Sequence, residues 1–321
     1  MPTVAVIIPF YQKETGILTR CLDCIFSQTH RDVLAIVVDD ESPLSPLPEI
    51  ESRSRSERER IRMIPQLNGG PGGARNTGLA NLPAGTDCAA FLDSDDVWTE
   101  RHLEHAVAAL ERGYEFYFAD YTWPTRTSTR LRQTGLTEIA RPLDGGFFAL
   151  DEADFFEVIL TRWPVHISAT VIDVPALAAV RFDERLRQSS EDQMYFLQCA
   201  LRTRKMCFRD EVTMRLDDGI NIFRRQPVGT HGFSRSRIAN AYFHRLVQPL
   251  ADARPGIART RNRELFRKNI KDFARSEAKS LVFRRRLHMS LYGAAARVFF
   301  GPSLPANGPF ASPLAVAARD G

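Results

Sequence analysis

The sequence contains no run of about 18 apolar residues, which excludes a helix that crosses a membrane. No basic region precedes the first apolar run, "MPTVAVIIPFYQ", and that run is too short for a secretory signal. It reads as a buried strand, and the expected setting is the cytoplasm. Cysteine is scarce: five residues, odd in number and scattered, argue against a disulfide framework. Cys21 and Cys24 form a C-x-x-C, but they lie three apart on one face of the helical stretch "GILTRCLDCIFSQ". A zinc site needs a second ligand pair, and Cys199 and Cys207 have the wrong spacing, so the reading is structural. Two nucleotide-binding fingerprints are also missing, G-x-x-x-x-G-K-[ST] and G-x-G-x-x-G. No internal repeat is present.

What remains is ample for a folded protein. A hydrophobic fraction of 44% against 26% charged residues supports a sizeable core, and 321 residues allow one large domain or two smaller ones. The formal net charge of +4 conceals an asymmetry. Residues 254–297 hold 13 Lys/Arg and three acids, Glu264, Asp272 and Glu277, so that segment carries +10 and the remainder −6.

Apolar strands and helical stretches alternate through the first 120 residues. Strands are expected at 4–8, 33–38, 61–64, 88–92 and 114–120, with helices at 16–28, 72–82 and 101–112. Continuous apolar strands separated by helices indicate a mostly parallel sheet covered on both faces. The pattern weakens over 121–150, which reads as an insertion or long loop. A helix near 151–160, a strand at 168–173 and a helix at 191–202 follow, and after Pro255 the chain becomes helical and basic. The last 20 residues, rich in Ala, Pro and Gly, read as a mobile tail.

In open α/β sheets, ligands bind beyond the carboxyl ends of the strands. Three polar clusters fall there: Pro9-Phe10-Tyr11, Asp39-Asp40-Glu41-Ser42 and Asp93-Ser94-Asp95-Asp96. Crowded carboxylates stay ionised around a cation. Mg²⁺ or Mn²⁺ suits oxygen ligands and takes one or two protein carboxylates beside substrate phosphates. The alternative is a solvated turn in which Asp96 or Thr99 caps the next helix. Between the clusters, the glycines of "NGGPGGARNTG" (68–78) permit close backbone approach to a ligand, and the helix start favours an anion, with Arg75 as a possible phosphate or base contact. In "RQSSEDQMYFLQCA" (187–200), Ser190 reads as an N-cap with Glu191 and Asp192 in the first turn. The same residues also read as a general base held at a helix start.

Taken together, "VAVIIPFYQ" (4–12), "IFSQTHRDVLAIVVDDES" (25–42), "NGGPGGARNTGLA" (68–80), "FLDSDDVW" (91–98) and "SSEDQMYF" (189–196) resemble, in family order, the family 2 nucleotide-sugar glycosyltransferases of GT-A fold. The opening also resembles exopolysaccharide glucosyltransferases of the succinoglycan type. The resemblance implies a catalytic domain over 1–253, in which 1–120 binds the nucleotide sugar and 121–253 the acceptor. A basic helical extension over 254–300 and the tail over 301–321 complete it. It implies that Asp40, with Asp39 beside it, binds the nucleotide base, that Pro9 and Tyr11 line the uridine pocket, and that Arg75 flanks the nucleotide. Asp93-Ser94-Asp95 becomes the family's D-x-D, with Asp95 the main ligand of Mn²⁺ or Mg²⁺ and Asp93 nearer the ribose and metal. Asp192, paired with Glu191, becomes the catalytic base of a single inverting displacement from a donor such as UDP-glucose to a glycan or lipid-linked oligosaccharide. Glu41 stands where the family has a small residue, and Gln193 where an aromatic often follows the E-D pair.

Other residues carry two readings. His231 in "RRQPVGTHGFSRSR" (224–237) reaches the metal from a loop or is ordinary surface, and Arg224 and Arg225 can neutralise phosphates. Trp163 and His166 line an acceptor cleft or pack the core. The basic segment, with Arg284-Arg285-Arg286 before "LHMSLYGAAARVFF", lies on an anionic membrane as a peripheral contact or is a solvated helix. No recognition motif points to nucleic acid. Two rival functions are a haloacid dehalogenase-type phosphatase, whose D-x-D-x-[TV] fits "FLDSDDV", and a non-catalytic sugar-nucleotide-binding protein.

Overall fold

The computed structural model describes residues 1–123, 128–150, 155–187, 190–216, 227–254, 256–284 and 287–300. The expected tail at 301–321 and the pair Arg224 and Arg225 lie outside them. The chain divides into two compact units, residues 1–187 with 195–220, and residues 188–194 with 221–321. The division near residue 220 lies within 121–253, the stretch expected to bind the acceptor.

The first unit opens with β1 (Val4–Phe10), α1 (Ile17–Phe26) and β2 (Val33–Asp39). The short helices α2 (Leu47–Glu51) and α3 (Arg55–Arg58) lead to β3 (Ile61–Pro65), α4 (Gly70–Ala80) and β4 (Cys88–Phe91). Next come β5 (Val97–Trp98), α5 (His102–Leu110) and β6 (Phe116–Thr122). Then follow α6 (Arg130–Thr134), β7 (Arg141–Pro142), β8 (Phe147–Ala149), α7 (Phe155–Arg162), β9 (Thr170–Asp173) and α8 (Val174–Leu177). Helix α9 (Glu191–Arg202) begins in residues assigned to the second unit, and β10 (Met206–Arg215) closes the sheet.

The strands form one sheet in the order β3-β2-β1-β4-β9-β6-β10-β8-β7, with β5 beside β10. Pairing is parallel from β3 to β4, as expected for the nucleotide-binding half. Beyond β4 the sheet is mixed: β9 lies antiparallel between β4 and β6, while β10 runs parallel to β6. Strand β1 shows why both faces are apolar. Val4, Val6 and Ile8 pack with Leu18, Leu22 and Ile25 of α1, whereas Ala5 packs with Ala74 of α4. Pro9 is tolerated because the pairing with β4 ends at Ile7↔Phe91, so its missing N–H breaks no bond on that side.

The region 121–150 is not a plain loop. It supplies the hairpin β7–β8, whose second strand pairs with β10. Gly145 and Gly146, at φ 76° and 79°, make its turn. Strand β10 escapes a sequence reading because Arg209-Asp210-Glu211 interrupts it at a register shift between Arg209 and Val212.

The second unit contains α10 (His231–Asp252), α11 (Ala258–Arg284) and α12 (Tyr292–Phe300). Helices α10 and α11 are antiparallel. Ser234 meets Ser276 at 2.7 Å and His244 meets Asn262 at 2.9 Å. Ile238 and Ala241 of α10, Phe273 of α11 and Ala295 and Val298 of α12 form a small core.

Candidate active site

The end of β4 sorts its side chains by alternation. The Leu92 N–H bonds the Ile7 carbonyl at 3.1 Å, after which the chain turns, with the Asp96 N–H on the Asp93 carbonyl at 3.0 Å. Ser94 and Asp96 point inward and are buried; Asp93 and Asp95 are half-buried. Asp96 accepts a 2.6 Å hydrogen bond from the hydroxyl of Ser168, which is fully buried in the turn before β9. The same Ser168 oxygen accepts from the Asp93 N–H at 3.1 Å, and its carbonyl accepts from the Trp98 indole at 2.5 Å. One serine thus fixes both sides of the acidic turn.

Asp93 is held from below. Arg75 of α4, 2% exposed, donates to its carboxylate at 2.5 Å and lies over the Phe182 ring at 5.3 Å. The arginine expected to flank a nucleotide is thus seated under the first acid of the turn. His166 stands 3.8 Å from the Asp96 carboxylate, and its Nδ1 accepts from the Ser168 N–H at 3.2 Å. Burial pushes the His166 pKa down to about 4, against an upward pull from Asp93, so the ring is neutral near pH 7.

The end of β2 is built differently. Asp40, 3% exposed, accepts from Gln66 Nε2 at 2.6 Å and from the backbone N–H groups of Gly69 and Gly70 at 2.7 and 2.8 Å. The anion expected at the glycine-rich helix start is thus the chain's own carboxylate. Asp39 is half-buried and accepts from the Ser42 N–H at 2.9 Å. Glu41 follows Asp40 with φ 58°, a left-handed conformation that a glycine would adopt without cost. The segment 68–78 also serves as a packing joint. A Cβ on Gly78 would lie 2.4 Å from Ile7 Cγ2, so glycine there lets α4 press against β1.

Gln12 ties the strand ends together and was not singled out by the sequence. Its N–H bonds the Ser42 hydroxyl at 2.8 Å, and its Nε2 donates to the Ser94 hydroxyl at 2.8 Å. Pro9 is half-buried beside it, and Tyr11, 46% exposed, stands beyond β1. The first unit therefore brings together Pro9, Tyr11, Asp39, Asp40, Arg75, Asp93, Ser94 and Asp95 around neighbouring strand ends. Gln12 and Ser168 are the residues that sequence reasoning missed: Gln12 is the last residue of the first matching block, and Ser168 a single polar position before an apolar strand.

Glu191 and Asp192 occupy the first turn of α9, after Ser190 at φ 67°. The Ser190 hydroxyl bonds Asn240 Oδ1 at 3.2 Å, and Asp192 accepts from the Gln193 N–H at 2.7 Å. His231 is not on a loop: it is the first residue of α10, with Nε2 3.4 Å from the Ser290 hydroxyl. Trp163 ends α7 at φ 53°. Its indole N–H bonds back to the Leu160 carbonyl at 3.2 Å, and its own carbonyl accepts from Arg130. Among the described residues no group of three or more His, Cys, Asp or Glu forms a metal cage. Asp93 and Asp95 nevertheless suit a cation that takes one or two carboxylates and completes its shell with waters and substrate phosphates.

Comparison with known proteins agrees with this architecture. Residues 5–160 match the model of glycosyl transferase family 2. The chain is 38% identical over 231 residues to the succinoglycan biosynthesis protein ExoW of Rhizobium meliloti, covering 70% of this chain and 71% of that one. The amylovoran biosynthesis glycosyltransferase AmsB of Erwinia amylovora is 36% identical over 112 residues, 34% of this chain and 36% of its own. Among solved structures, S. aureus TarS 1–349 in complex with UDP-GlcNAc superposes with a TM-score of 0.59 at 18% identity, covering 92% of this chain and 79% of that one. The mannosyltransferase PcManGT of Pyrobaculum calidifontis, with GDP-Man and Mn²⁺, gives 0.56 at 15% identity, covering 96% and 82%. These two likenesses establish the GT-A type of fold. With the fold, the acidic strand ends and the ExoW relationship together, the chain belongs to glycosyl transferase family 2.

Proposed function

We propose that this glycosyltransferase moves a sugar, with inversion, from a nucleoside diphosphate donor to a hydroxyl of a glycan or lipid-linked oligosaccharide during exopolysaccharide synthesis. The observation that carries the reading is the sorting of carboxylates after β4: Asp96 is buried on Ser168, while Asp93 and Asp95 stay half-buried. Family membership sets aside the phosphatase and the non-catalytic alternatives. UDP-glucose is the proposed donor, in line with the succinoglycan relative, and UDP-GlcNAc is what TarS holds.

In this reading Asp39 takes the base-binding role expected first of Asp40, whose carboxylate is already bonded to Gln66, Gly69 and Gly70, while Tyr11 and Pro9 flank the ring and Asp40 shapes the shelf beneath. Asp95 and Asp93 would hold a divalent cation, Mn²⁺ or Mg²⁺, which when bound supplies positive charge to the departing diphosphate. Arg75 keeps the Asp93 carboxylate in place for that task. Asp192 takes the proton of the acceptor hydroxyl as its oxygen bonds to the anomeric carbon and the bond to the diphosphate breaks. An α-linked donor then gives a β-glycoside.

The test is the thermal midpoint with UDP, with Mn²⁺ and with both, in wild type and Asp95→Asn. A ligand at about 100 times its Kd stabilises by roughly 2.7 kcal/mol, on the order of 5 °C for a chain of this size. The expected shift needs both ligands and disappears in the variant. An equal shift in Asp95→Asn would remove the metal role.

A further inference from the structure

One face of α11 is unusual. Arg267, Lys271, Arg275 and Lys279 follow one another at i,i+4 spacing, and each is exposed. Like charges at that spacing destabilise a helix by a few tenths of a kcal/mol per pair, and a solvated helix normally interleaves acids. Here none intervenes on the line. Asp272 is half-buried, and Glu277 is buried and bonded to His288 Nδ1 at 2.7 Å. Lys268 adds a fifth exposed cation, and none of the five has an ion pair among the described residues. The line from residue 267 to 279 extends about 18 Å along the helix.

At the end of that line the surface becomes apolar. Val282 and Phe283 are 70% and 77% exposed, with Leu281 beside them and Met289 at 69% just after the helix. Large apolar side chains this exposed, directly beyond a row of cations, form an amphipathic face rather than a soluble one. The structure also moves the apolar contribution away from the place the sequence suggested. In "LHMSLYGAAARVFF", Leu291, Ala295 and Val298 are buried against α10 and α11, so that segment spends much of its apolar surface internally.

We propose that the second unit docks on an anionic lipid bilayer. The row Arg267, Lys271, Arg275 and Lys279 meets the headgroups, and Val282, Phe283 and Met289 enter the interface. Charge complementarity selects the partner, because a neutral bilayer would leave the row unsatisfied and a polyanion without an apolar phase would leave Phe283 in water. The inference deepens the acceptor side of the proposed function and rests on that reading only in naming a bilayer as the place of work.

The experiment is co-sedimentation of the full chain with phosphatidylcholine vesicles, with and without about 30% phosphatidylglycerol. Expected is binding to the anionic vesicles at least tenfold above neutral ones, weakening with salt. Lys271→Gln with Arg275→Gln lowers the partition constant about 25-fold, roughly fivefold per cation. Phe283→Ser lowers it by about tenfold. Equal binding to both vesicle types, or variants that bind like wild type, overturns the proposal. Tighter binding to a DNA duplex, indifferent to Phe283→Ser, also overturns it and assigns the row to nucleic acid. The UDP-and-metal thermal shift of the same variants reports the donor site separately. In the wild type, absent vesicle binding with an intact shift overturns this surface alone, and vesicle binding without a shift overturns the donor reading alone.

Discussion

The ends of β2 and β4 carry the same kind of sequence, an apolar run broken by adjacent acids, yet they are anchored in different ways. At β2 the buried carboxylate, Asp40, grips the backbone of Gly69 and Gly70 at the start of α4. At β4 the buried carboxylate, Asp96, grips Ser168, which reaches it from far along the chain. In both places a less buried acid stands beside the anchor: Asp39 at the first end, Asp93 and Asp95 at the second. The comparison teaches that one member of an acidic cluster is buried to build the shelf while its neighbour stays nearer the surface. The β2 shelf joins residues 29 and 30 positions apart, and the β4 shelf residues 72 apart.

Substitutions can break or sharpen this contrast. An acid outside both ends sets the upper scale: Asp192→Asn should lower kcat by about 10²–10⁴-fold while preserving the shift with UDP and Mn²⁺. Asp95→Asn should lower kcat/KM by about 10²–10³-fold and leave the unliganded melting midpoint nearly unchanged. The buried acid should behave in the opposite way. Asp96→Ala removes the carboxylate that Ser168 bonds, and urea unfolding should show a loss of about 3 kcal/mol. Equal stability of the Asp95 and Asp96 variants would erase the distinction between buried and half-buried acids.

A smaller effect is expected at β2. Asp40→Asn turns one acceptor into a donor that faces backbone N–H groups, at a cost of about 2 kcal/mol in urea unfolding. The UDP shift of that variant should survive, and its complete loss would place Asp40 on the nucleotide itself. The smallest effect belongs to His166. With a pKa pushed down to about 4 it carries no charge at neutral pH. Its depressed value means the folded state binds fewer protons there, so its contribution to stability is present above about pH 6.5 and declines as pH falls toward 4. His166→Gln should therefore keep the shape of the kcat/KM profile between about pH 6.5 and 8. A lost acidic limb in that range would show that an imidazolium works at the site.

Much of the first unit was legible because its strands are continuous apolar runs and its helices amphipathic, both signals carried by many residues at once. The acidic strand ends were legible for the same reason: acids after Val38 and Leu92 break a strong pattern. What the sequence did not reveal lies in pairings of few residues. Strand β5 has two residues, and β10 is interrupted by three charged ones at its bulge. Ser168 and Gln12 act through hydrogen bonds to partners more than 70 residues away, and no periodicity announces such a partner. In the glycine-rich segment, the close approach of Ile7 to Gly78 is a further contact that composition alone does not announce.

Ser168 also imposes an order in time. A growing chain displays Asp93, Asp95 and Asp96 long before it has made the serine that joins them, and β4 waits equally for β9 as its neighbour. The segment that matches the family model, 5–160, stops short of both. A fragment cut there would keep every acid of the turn and still lack the clamp that gives the turn its shape. During synthesis, the final shape of the acidic turn should arrive late and abruptly, with the turn before β9 rather than with the acids themselves.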